Sequence, residues 1–235
     1  MSLDQKIIED FYNSIDNIWD SKDLWHMYSF NQISRYLKKH TFSPESYILN
    51  AGSGGNDYGI RAKIHHVDIA ENKIKSCPLF TTSSIEDLPF DNNVFDGIIC
   101  VGSVINYCDA FRVVSEFSRV LRKGGTLILE FESSSGFEYR HMEYYKSSSC
   151  SVTVKFRGQA HNQYLFSPTY IFKILKNFNF KIAKKQNFHI FSAYKLSQGL
   201  TEEKATKWAK YDKFISWIRP LANHSNNIII TCIKK

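Results

Sequence analysis

A glycine-rich segment, YILNAGSGGN at Tyr47–Asn56, carries the most chemical information in this sequence. Its short apolar run reaches Asn50 and continues into Gly52–Gly55, so a strand is predicted to stop at a glycine loop. Open α/β folds use this arrangement to bring backbone N–H groups close to a nucleotide-like ligand. A second apolar run, Ile64–Val67, ends at Asp68, whose carboxylate can accept two hydrogen bonds from a ribose diol. Together the two segments predict a nucleotide-type site.

Strands and helices alternate after this loop, which predicts a parallel sheet with helices on both faces. The continuous apolar run Phe95–Val101 is typical of a strand buried on both faces. Ala110–Leu121 has helical periodicity, and Gly124-Gly125 predicts a sharp stop before the buried strand Thr126–Phe131. The other strands predicted for this region are Tyr47–Asn50, Ile64–Val67 and Leu79–Thr82.

The segments on either side of this region show other patterns. Residues 3–20 and Ser29–Lys39 have the spacing of amphipathic helices, and Ser43-Pro44 separates them from the first strand. After Glu132, two strands flanking Arg157-Gly158 predict a β-hairpin. The later predicted elements are a helix at Thr169–Asn177, a helix at Thr201–Trp217, and strands at Phe180–Phe191 and Asn227–Lys234.

Composition limits the class of protein. With 235 residues, 43% hydrophobic and 15% aromatic, the chain can bury the core of one α/β domain with a small addition. Apolar runs stay far below the length of a membrane span, and Met1–Asp10 contains no signal-like apolar block, which predicts a cytoplasmic protein. The five scattered cysteines form no C-x-x-C pair, so neither a disulfide framework nor a metal site is expected.

The order of the motifs resembles the class I S-adenosylmethionine-dependent methyltransferases over about residues 44–135. The likeness rests on the glycine strand, Asp68, Ile85–Phe90, Phe95-Asp96 and Arg119–Gly125. It implies an α/β fold with a doubly wound, mostly parallel, seven-stranded Rossmann-like sheet whose last strand, Asn227–Lys234, is antiparallel. It also implies an N-terminal helical cap (1–42), a cofactor-binding core (43–135), a lid with an inserted β-hairpin (136–168) and the C-terminal part of the core (169–235).

The resemblance also implies a cofactor, S-adenosylmethionine, with S-adenosylhomocysteine as product. The glycine loop would lie beside its methionine part, Asp68 would hold the ribose hydroxyls, and Ile69 and Ser84–Glu86 would border the adenine. The end of the fourth strand would form the floor beneath the reactive methyl. The implied cofactor-binding residues are Asn50, Ala51, Gly52, Ser53, Gly54, Asp68, Ile69, Ser84, Ile85, Glu86, Val101, Gly102 and Ser103.

Several positions depart from the family pattern. Asn50 and Ser84 stand where acidic residues are usual, and Asn56 takes the place of a third glycine. Only about a dozen residues separate Gly54 from Asp68, so the first helix of the core is expected to be short or irregular. Structural interpretations stay open: the glycines could form only a tight turn, and Asp68 could cap a helix.

Methyl transfer from a sulfonium is an in-line displacement in which the protein mainly positions and desolvates the reactants. A base is needed only when the acceptor is protonated. Tyr107, after the fourth strand, and His141, within an aromatic cluster, are the catalytic candidates. Asn106, Glu132, His161 and His189 are further candidates near the expected site.

O-methylation of a small molecule or peptide is the predicted reaction. The net charge of +7 favours an anionic acceptor, and a carboxylate would need no base. The Asn/Asp-Pro-Pro-Tyr tetrapeptide of amino-group nucleic-acid methyltransferases is replaced by Ile105-Asn106-Tyr107, which argues against DNA or RNA. Three alternatives stay open: a non-catalytic protein that binds the cofactor or its product, a nucleic-acid methyltransferase, and a nicotinamide-dependent oxidoreductase with the same glycine loop.

Overall fold

The structure, a computed structural model, describes residues 3–216 and 218–235, so Met1, Ser2 and Trp217 lie outside the described part. A seven-stranded sheet has the order β3-β2-β1-β4-β5-β9-β8, and a separate hairpin pairs β6 with β7. The strands are β1 Tyr47–Ala51, β2 Lys63–Asp68, β3 Phe80–Thr82, β4 Phe95–Cys100, β5 Leu121–Glu132, β6 Ser149–Phe156, β7 Gln159–Phe166, β8 Phe180–Phe188 and β9 Asn227–Lys234.

Helices flank this sheet. The longer ones are α1 Leu3–Ser14, α2 Leu24–Lys38, α4 Ala110–Val120 and α5 Pro168–Asn177. The shorter ones are α3 Glu71–Ile74, α6 Phe191–Leu196, α7 Glu202–Thr206, α8 Asp212–Ile215 and α9 Arg219–Ala222. Three-residue or four-residue 3₁₀ turns occur at Val104–Tyr107, Phe137–Tyr139 and Ala209–Tyr211.

Strand directions confirm the predicted fold class. Strands β3, β2, β1, β4 and β5 are parallel to one another, whereas β9 lies between β5 and β8 and is antiparallel to both. In a parallel sheet the carboxyl ends of the strands meet at one edge, where open α/β sheets bind ligands. The glycine loop after β1, Asp68 at the end of β2 and Val101 after β4 therefore come together.

The apolar core covers both faces of the sheet, as the continuous apolar runs predicted. Ile98 packs in the cluster that contains Phe117 of α4 and Ile171 of α5. Its neighbour Ile99 points to the other face and packs in the cluster that contains Ile33 of α2. Because successive strand residues alternate between faces, both faces of β4 need an apolar cover.

The helix α4 ends earlier than predicted. Leu121 is already extended (φ −80°, ψ 137°) and pairs with Phe95. Gly124, with φ +79°, lies inside β5, where the register shifts before Gly97 pairs with Thr126. The Gly124-Gly125 pair thus forms an irregularity within a strand and does not stop the helix.

The predicted helix over Thr201–Trp217 is also broken, into α7, a 3₁₀ turn and α8. The buried Asp212 explains the interruption, because its carboxylate accepts hydrogen bonds from the backbone N–H groups of Ile190 (3.1 Å) and Phe191 (2.8 Å). Those bonds hold the start of α8 against the start of α6.

At the N-terminus α1 ends at Ser14, short of the predicted residue 20. Ile18 and Trp19 therefore belong to a loop before α2, which begins early because Asp23 caps it through the His26 N–H. Between β1 and β2 turns replace a helix, as the short spacing predicted. Within the described residues no helix combines the length and apolar character of a membrane span.

Helix α4 offers a matched test of the core. Phe117 is fully buried, whereas Phe111 on the same helix is 51% exposed. We expect Phe117→Ala to lower the free energy of unfolding by about 3–5 kcal/mol, because it leaves a cavity between helix and sheet. Phe111→Ala should change it by less than about 1 kcal/mol. Equal losses in denaturant unfolding would contradict the packing of α4.

Candidate active site

A cleft opens at the carboxyl ends of β1, β2 and β4, beneath α1. The predicted site residues that line it are Gly52, Ser53, Gly54, Asp68, Ile69, Ser84, Ile85, Val101 and Gly102. The N-terminal segment, which sequence reasoning did not assign to this site, adds Gln5, Ile8, Tyr12, Ile18 and Trp19. Of the other predicted residues, Asn50, Ala51, Glu86 and Ser103 lie outside the cleft lining.

Gly52 and Gly54 of the glycine loop have left-handed backbone conformations that favour glycine. Gly52 has φ +67°, and a Cβ there would lie 2.2 Å from Cγ1 of Val104. Gly54 has φ +51°, and a Cβ there would lie 2.3 Å from Cδ1 of Ile18. The loop thus presents bare backbone to the cleft, as close approach of a ligand requires.

Asn50 supports this loop from behind. Its side chain is buried, and its Nδ2 donates a 2.7 Å hydrogen bond to the carbonyl oxygen of Asn56. The amide therefore closes the loop on itself, and it does not face the cleft. Ser53 is also anchored, because its Oγ lies 3.0 Å from Nδ1 of His66.

The Asp68 carboxylate is held in place by backbone donors. Gly54 N–H donates to Oδ2 and Ala70 N–H donates to Oδ1, each at 2.9 Å. Burial raises the pKa of this carboxyl, and hydrogen bonds from the N–H groups of Ala70, Gly54 and Ile69 counteract the rise. A carboxylate has about four acceptor sites, so these three donors leave capacity for a ligand hydroxyl.

Glu86 is turned away from the cleft. Its Oε1 accepts a 2.7 Å hydrogen bond from Asp109 N–H, and its Oε2 lies 3.6 Å from Nη1 of Arg112. The carboxylate lines a neighbouring surface cavity. Ser84 and Ile85 of the same segment do reach the cleft.

A second cavity, of about 300 Å³, adjoins the cleft. We call it the adjoining cavity. Its walls come from α1, α2, β5, the hairpin and the segments after β4 and β5. Aromatic rings and carboxylates dominate its lining, which includes Tyr12, Trp19, Trp25, His26, Gly102, Ser103, Tyr107, Glu130, Glu132, Glu138, Tyr139, Lys155, Phe156, Gln163 and Glu202.

Glu130 connects the two spaces. Its carboxylate, 1% exposed, accepts hydrogen bonds from Gly102 N–H (2.9 Å), Ser103 N–H (2.6 Å) and Asn227 Nδ2 (2.8 Å). Burial raises its pKa to about 7 against these hydrogen bonds. Sequence reasoning did not select this residue, although a glutamate inside the apolar strand TLILEF is a visible anomaly.

Tyr107 lies where the cleft and the adjoining cavity meet, and it lines both. Its hydroxyl is 3.0 Å from Nε2 of His161, a histidine on β7 that is 5% exposed. Burial raises the pKa of the Tyr107 phenol and lowers the pKa of the His161 imidazole, so both are neutral at pH 7. In the imidazole tautomer that carries its proton on Nδ1, the hydroxyl donates to Nε2.

The other histidine candidates lie elsewhere. His141 is exposed, accepts a 2.7 Å hydrogen bond from Nε of Arg140, and lines neither the cleft nor the adjoining cavity. His189 is fully buried and stacks on Trp25 at a centroid distance of 3.8 Å. Its environment, with serine hydroxyls on both ring nitrogens, is that of a core residue.

The cleft fits an adenosine cofactor in the kind of residues it presents: a bare glycine backbone, a diol acceptor at Asp68 and the apolar Ile69 and Ile85. Its free volume of about 90 Å³ is smaller than the roughly 300–1,000 Å³ of ordinary ligand pockets. Ile18 and Trp19 project into it. Binding of a nucleoside therefore requires these side chains to withdraw.

Comparisons with known proteins are consistent with this geometry. Residues 49–129 match the family model described as a methyltransferase domain. A glycine/sarcosine/dimethylglycine N-methyltransferase of Actinopolyspora halophila is 26% identical over 154 residues, 51% of this chain and 27% of that protein. A sarcosine/dimethylglycine N-methyltransferase of Halorhodospira halochloris is 29% identical over 103 residues, 36% and 37% of the two chains. The matches span about a quarter to three fifths of the curated relatives' length.

Solved structures share the fold over nearly the whole chain. Geranyl diphosphate C-methyltransferase from Streptomyces coelicolor A3(2), solved with S-adenosyl-L-homocysteine, has a TM-score of 0.63, 12% identity, and coverage of 100% of this chain and 99% of that one. A Burkholderia thailandensis 1,6-didemethyltoxoflavin-N1-methyltransferase with bound S-adenosylhomocysteine has a TM-score of 0.59 and 13% identity. The match covers 98% of this chain and 87% of that one. Such identities establish the fold alone. Together with the match over residues 49–129, they identify a methyltransferase domain with the fold of the class I S-adenosylmethionine-dependent methyltransferases.

Proposed function

We propose that this chain transfers a methyl group from S-adenosylmethionine to a small-molecule or peptide acceptor held in the adjoining cavity. The observation that carries this proposal is the shared wall between the two spaces. Tyr12, Ile18, Trp19, Gly102 and Tyr107 line both the cleft and the adjoining cavity. A methyl donor in one space and an acceptor in the other would therefore meet at this wall, with water largely displaced.

For the cofactor, the glycine loop lies beside the methionine part, and Asp68 accepts from the ribose hydroxyls. Ile69 and Ile85 contact the adenine, and Val101 and Gly102 form the floor. Asn50, Ala51 and Ser103 act indirectly in this proposal, because they support the loop and the floor. Glu86 acts through the position of its segment, since its carboxylate is paired with Arg112.

The bound cofactor supplies an electrophilic methyl group. The chain's own contribution is to orient the acceptor and, where the acceptor is protonated, to remove its proton. Tyr107 Oη accepts that proton while its own hydroxyl proton moves to Nε2 of His161, 3.0 Å away. Burial lowers the pKa of His161, so the imidazole is unprotonated and ready to accept at neutral pH. His141 stays a candidate from sequence, without support from its exposed position.

The shared wall between the cleft and the adjoining cavity is compatible with methyl transfer to nitrogen, oxygen or carbon. The relatives and structural neighbours named above are described as N- and C-methyltransferases, and oxygen transfer to a carboxylate stays a prediction of the net charge. A protein that binds the cofactor without turnover would share the cleft. Single-turnover methylation of any acceptor, detected by mass spectrometry, separates that alternative from an enzyme.

Substitution of the diol acceptor tests the cofactor site. We expect Asp68→Ala to lower the affinity for S-adenosylhomocysteine about tenfold to a hundredfold, because the variant loses charge-assisted hydrogen bonds to the ligand. Asp57→Ala is the matched control, since Asp57 is exposed in the same loop and its carboxylate accepts from Gly59 N–H. Calorimetric affinities that are equal in the two variants would remove Asp68 from the site.

Trp19 should report on cofactor entry. Because its ring projects into the cleft, we expect its fluorescence to change when S-adenosylhomocysteine binds. Trp19→Phe should abolish most of that change, whereas Trp208→Phe, which alters a 37% exposed ring outside the cleft, should preserve it. An unchanged signal from wild type at saturating ligand would contradict the required withdrawal.

The proton relay predicts a specific kinetic loss. With a protonated acceptor, Tyr107→Phe should lower kcat about a hundredfold or more, because the phenyl ring cannot accept the proton. Tyr145→Phe is the control, since Tyr145 pairs with His224 (2.5 Å) in a second Tyr–His pair that lines neither space. The rate is measured by methyl incorporation at saturating cofactor. Equal kcat values for Tyr107→Phe and this control would contradict the proton relay.

A further inference from the structure

The adjoining cavity contains carboxylates without cationic partners. Glu130, Glu132 and Glu138 line its inner wall, and among the described residues none of them forms an ion pair. Glu132 accepts from the Tyr139 hydroxyl and from Nε2 of Gln163 at 3.2 Å, both neutral donors. Burying acidic groups without a compensating charge is costly, and a bound cation would relieve that cost.

Aromatic rings line the same space. Tyr12, Trp19, Trp25, Tyr139 and Phe156 surround the adjoining cavity together with the carboxylates. The faces of such rings attract a cation through their quadrupoles, most strongly for tryptophan. The aromatic lining is a separate feature from the acidic groups, and it also indicates a positively charged ligand.

Basic groups in the lining do not balance this charge. Lys155 is exposed on the hairpin, and His26 is paired with Asp23 at 2.7 Å. Glu202, also exposed, adds a fourth acidic residue to the lining. The net charge of +7 therefore describes the whole protein, whereas acidic residues outnumber basic ones in the lining of the adjoining cavity.

We propose that the adjoining cavity binds a positively charged acceptor, the amine of a small molecule, with its ammonium nitrogen near Glu132 and Glu138 and among the aromatic rings. This inference rests on the proposed function, for which it names the substrate class. It favours transfer to nitrogen over transfer to a carboxylate, because a cation stabilises the ionised form of the three acidic groups, whereas an anionic acceptor would oppose their ionisation.

The chemistry balances with the residues described. The bound ammonium loses one proton to Oη of Tyr107, whose own proton passes to His161, and the nitrogen regains its lone pair. That lone pair forms the bond to the methyl carbon as the carbon–sulfur bond breaks, and the bonding electrons stay with sulfur. The products are a methylated ammonium ion, a neutral thioether and a protonated His161, which returns its proton to water.

Proton release should accompany cation binding. Burial raises the pKa of Glu130 to about 7 and that of Glu138 to about 8, so both are largely neutral below pH 6 and ionised above pH 9. Affinity for a permanent cation should therefore rise with pH. The other titratable groups that line the adjoining cavity are Tyr12, His26, Tyr107, Glu132, Tyr139, Lys155 and Glu202.

Isosteric probes test the charge directly. Calorimetry on the full chain, with and without S-adenosylhomocysteine, would compare choline with its neutral analogue 3,3-dimethylbutan-1-ol and its anionic analogue 3,3-dimethylbutanoate. We expect choline to bind at least about tenfold more tightly than either, and more tightly at pH 9 than at pH 6. Undetectable choline binding, or equal or tighter binding of the neutral or anionic probe, would overturn the inference.

Variants locate the effect. Glu138→Gln keeps the shape of the side chain. It should lower the affinity for choline about tenfold and reduce the pH dependence of that affinity, and it should leave the affinity for S-adenosylhomocysteine unchanged. Glu203→Gln is the control, because Glu203 is exposed and faces Lys207 at 3.9 Å. If Glu138→Gln behaves like this control, the cation is not held there. If the wild-type protein shows no detectable binding of S-adenosylhomocysteine, the proposed function is overturned, whatever its affinity for choline.

Discussion

The buried carboxylate of Glu130 holds the functional site together. It accepts from the N–H groups of Gly102 and Ser103 at the end of β4, and from the side chain of Asn227 at the start of β9. These bonds satisfy backbone donors that have left the sheet and would otherwise be buried unpaired. The same carboxylate therefore supports the floor of the cleft and forms part of the wall of the adjoining cavity.

Around this centre, the lid elements hold each other in place. The hairpin turn at Arg157 donates from Nη2 to the carbonyl oxygen of Ile18 at 3.1 Å. Phe11 of α1 packs against Phe156 and His161 of the hairpin, with ring centroids 5.8 and 5.4 Å apart. The N-terminal segment and the hairpin are thus one layer over the two spaces. Movement of Ile18 on cofactor entry would reach the acceptor side through this contact.

Charge has different roles at the surface and in the interior. The excess of lysine and arginine is distributed over solvated positions, where screening limits it to long-range attraction. Inside the adjoining cavity, desolvation raises the pKa of Glu138, and a cation beside this group would favour its ionised form. The total charge of the protein favours an anionic substrate, whereas the lining of the adjoining cavity favours a cationic one. The lining is the part that would contact the substrate.

The amino-acid sequence by itself determined the fold class, the glycine loop and the position of Asp68 at the end of β2. These features depend on local rules: apolar runs make strands, positive φ needs glycine, and parallel strands end at one edge. Only the tertiary structure decided that Tyr107 meets His161, 54 positions away, and that His141 is exposed. It also decided that carboxylates from β5 and the following segment line one cavity. Burial and charge balance arise from packing between distant elements, and no local pattern encodes them.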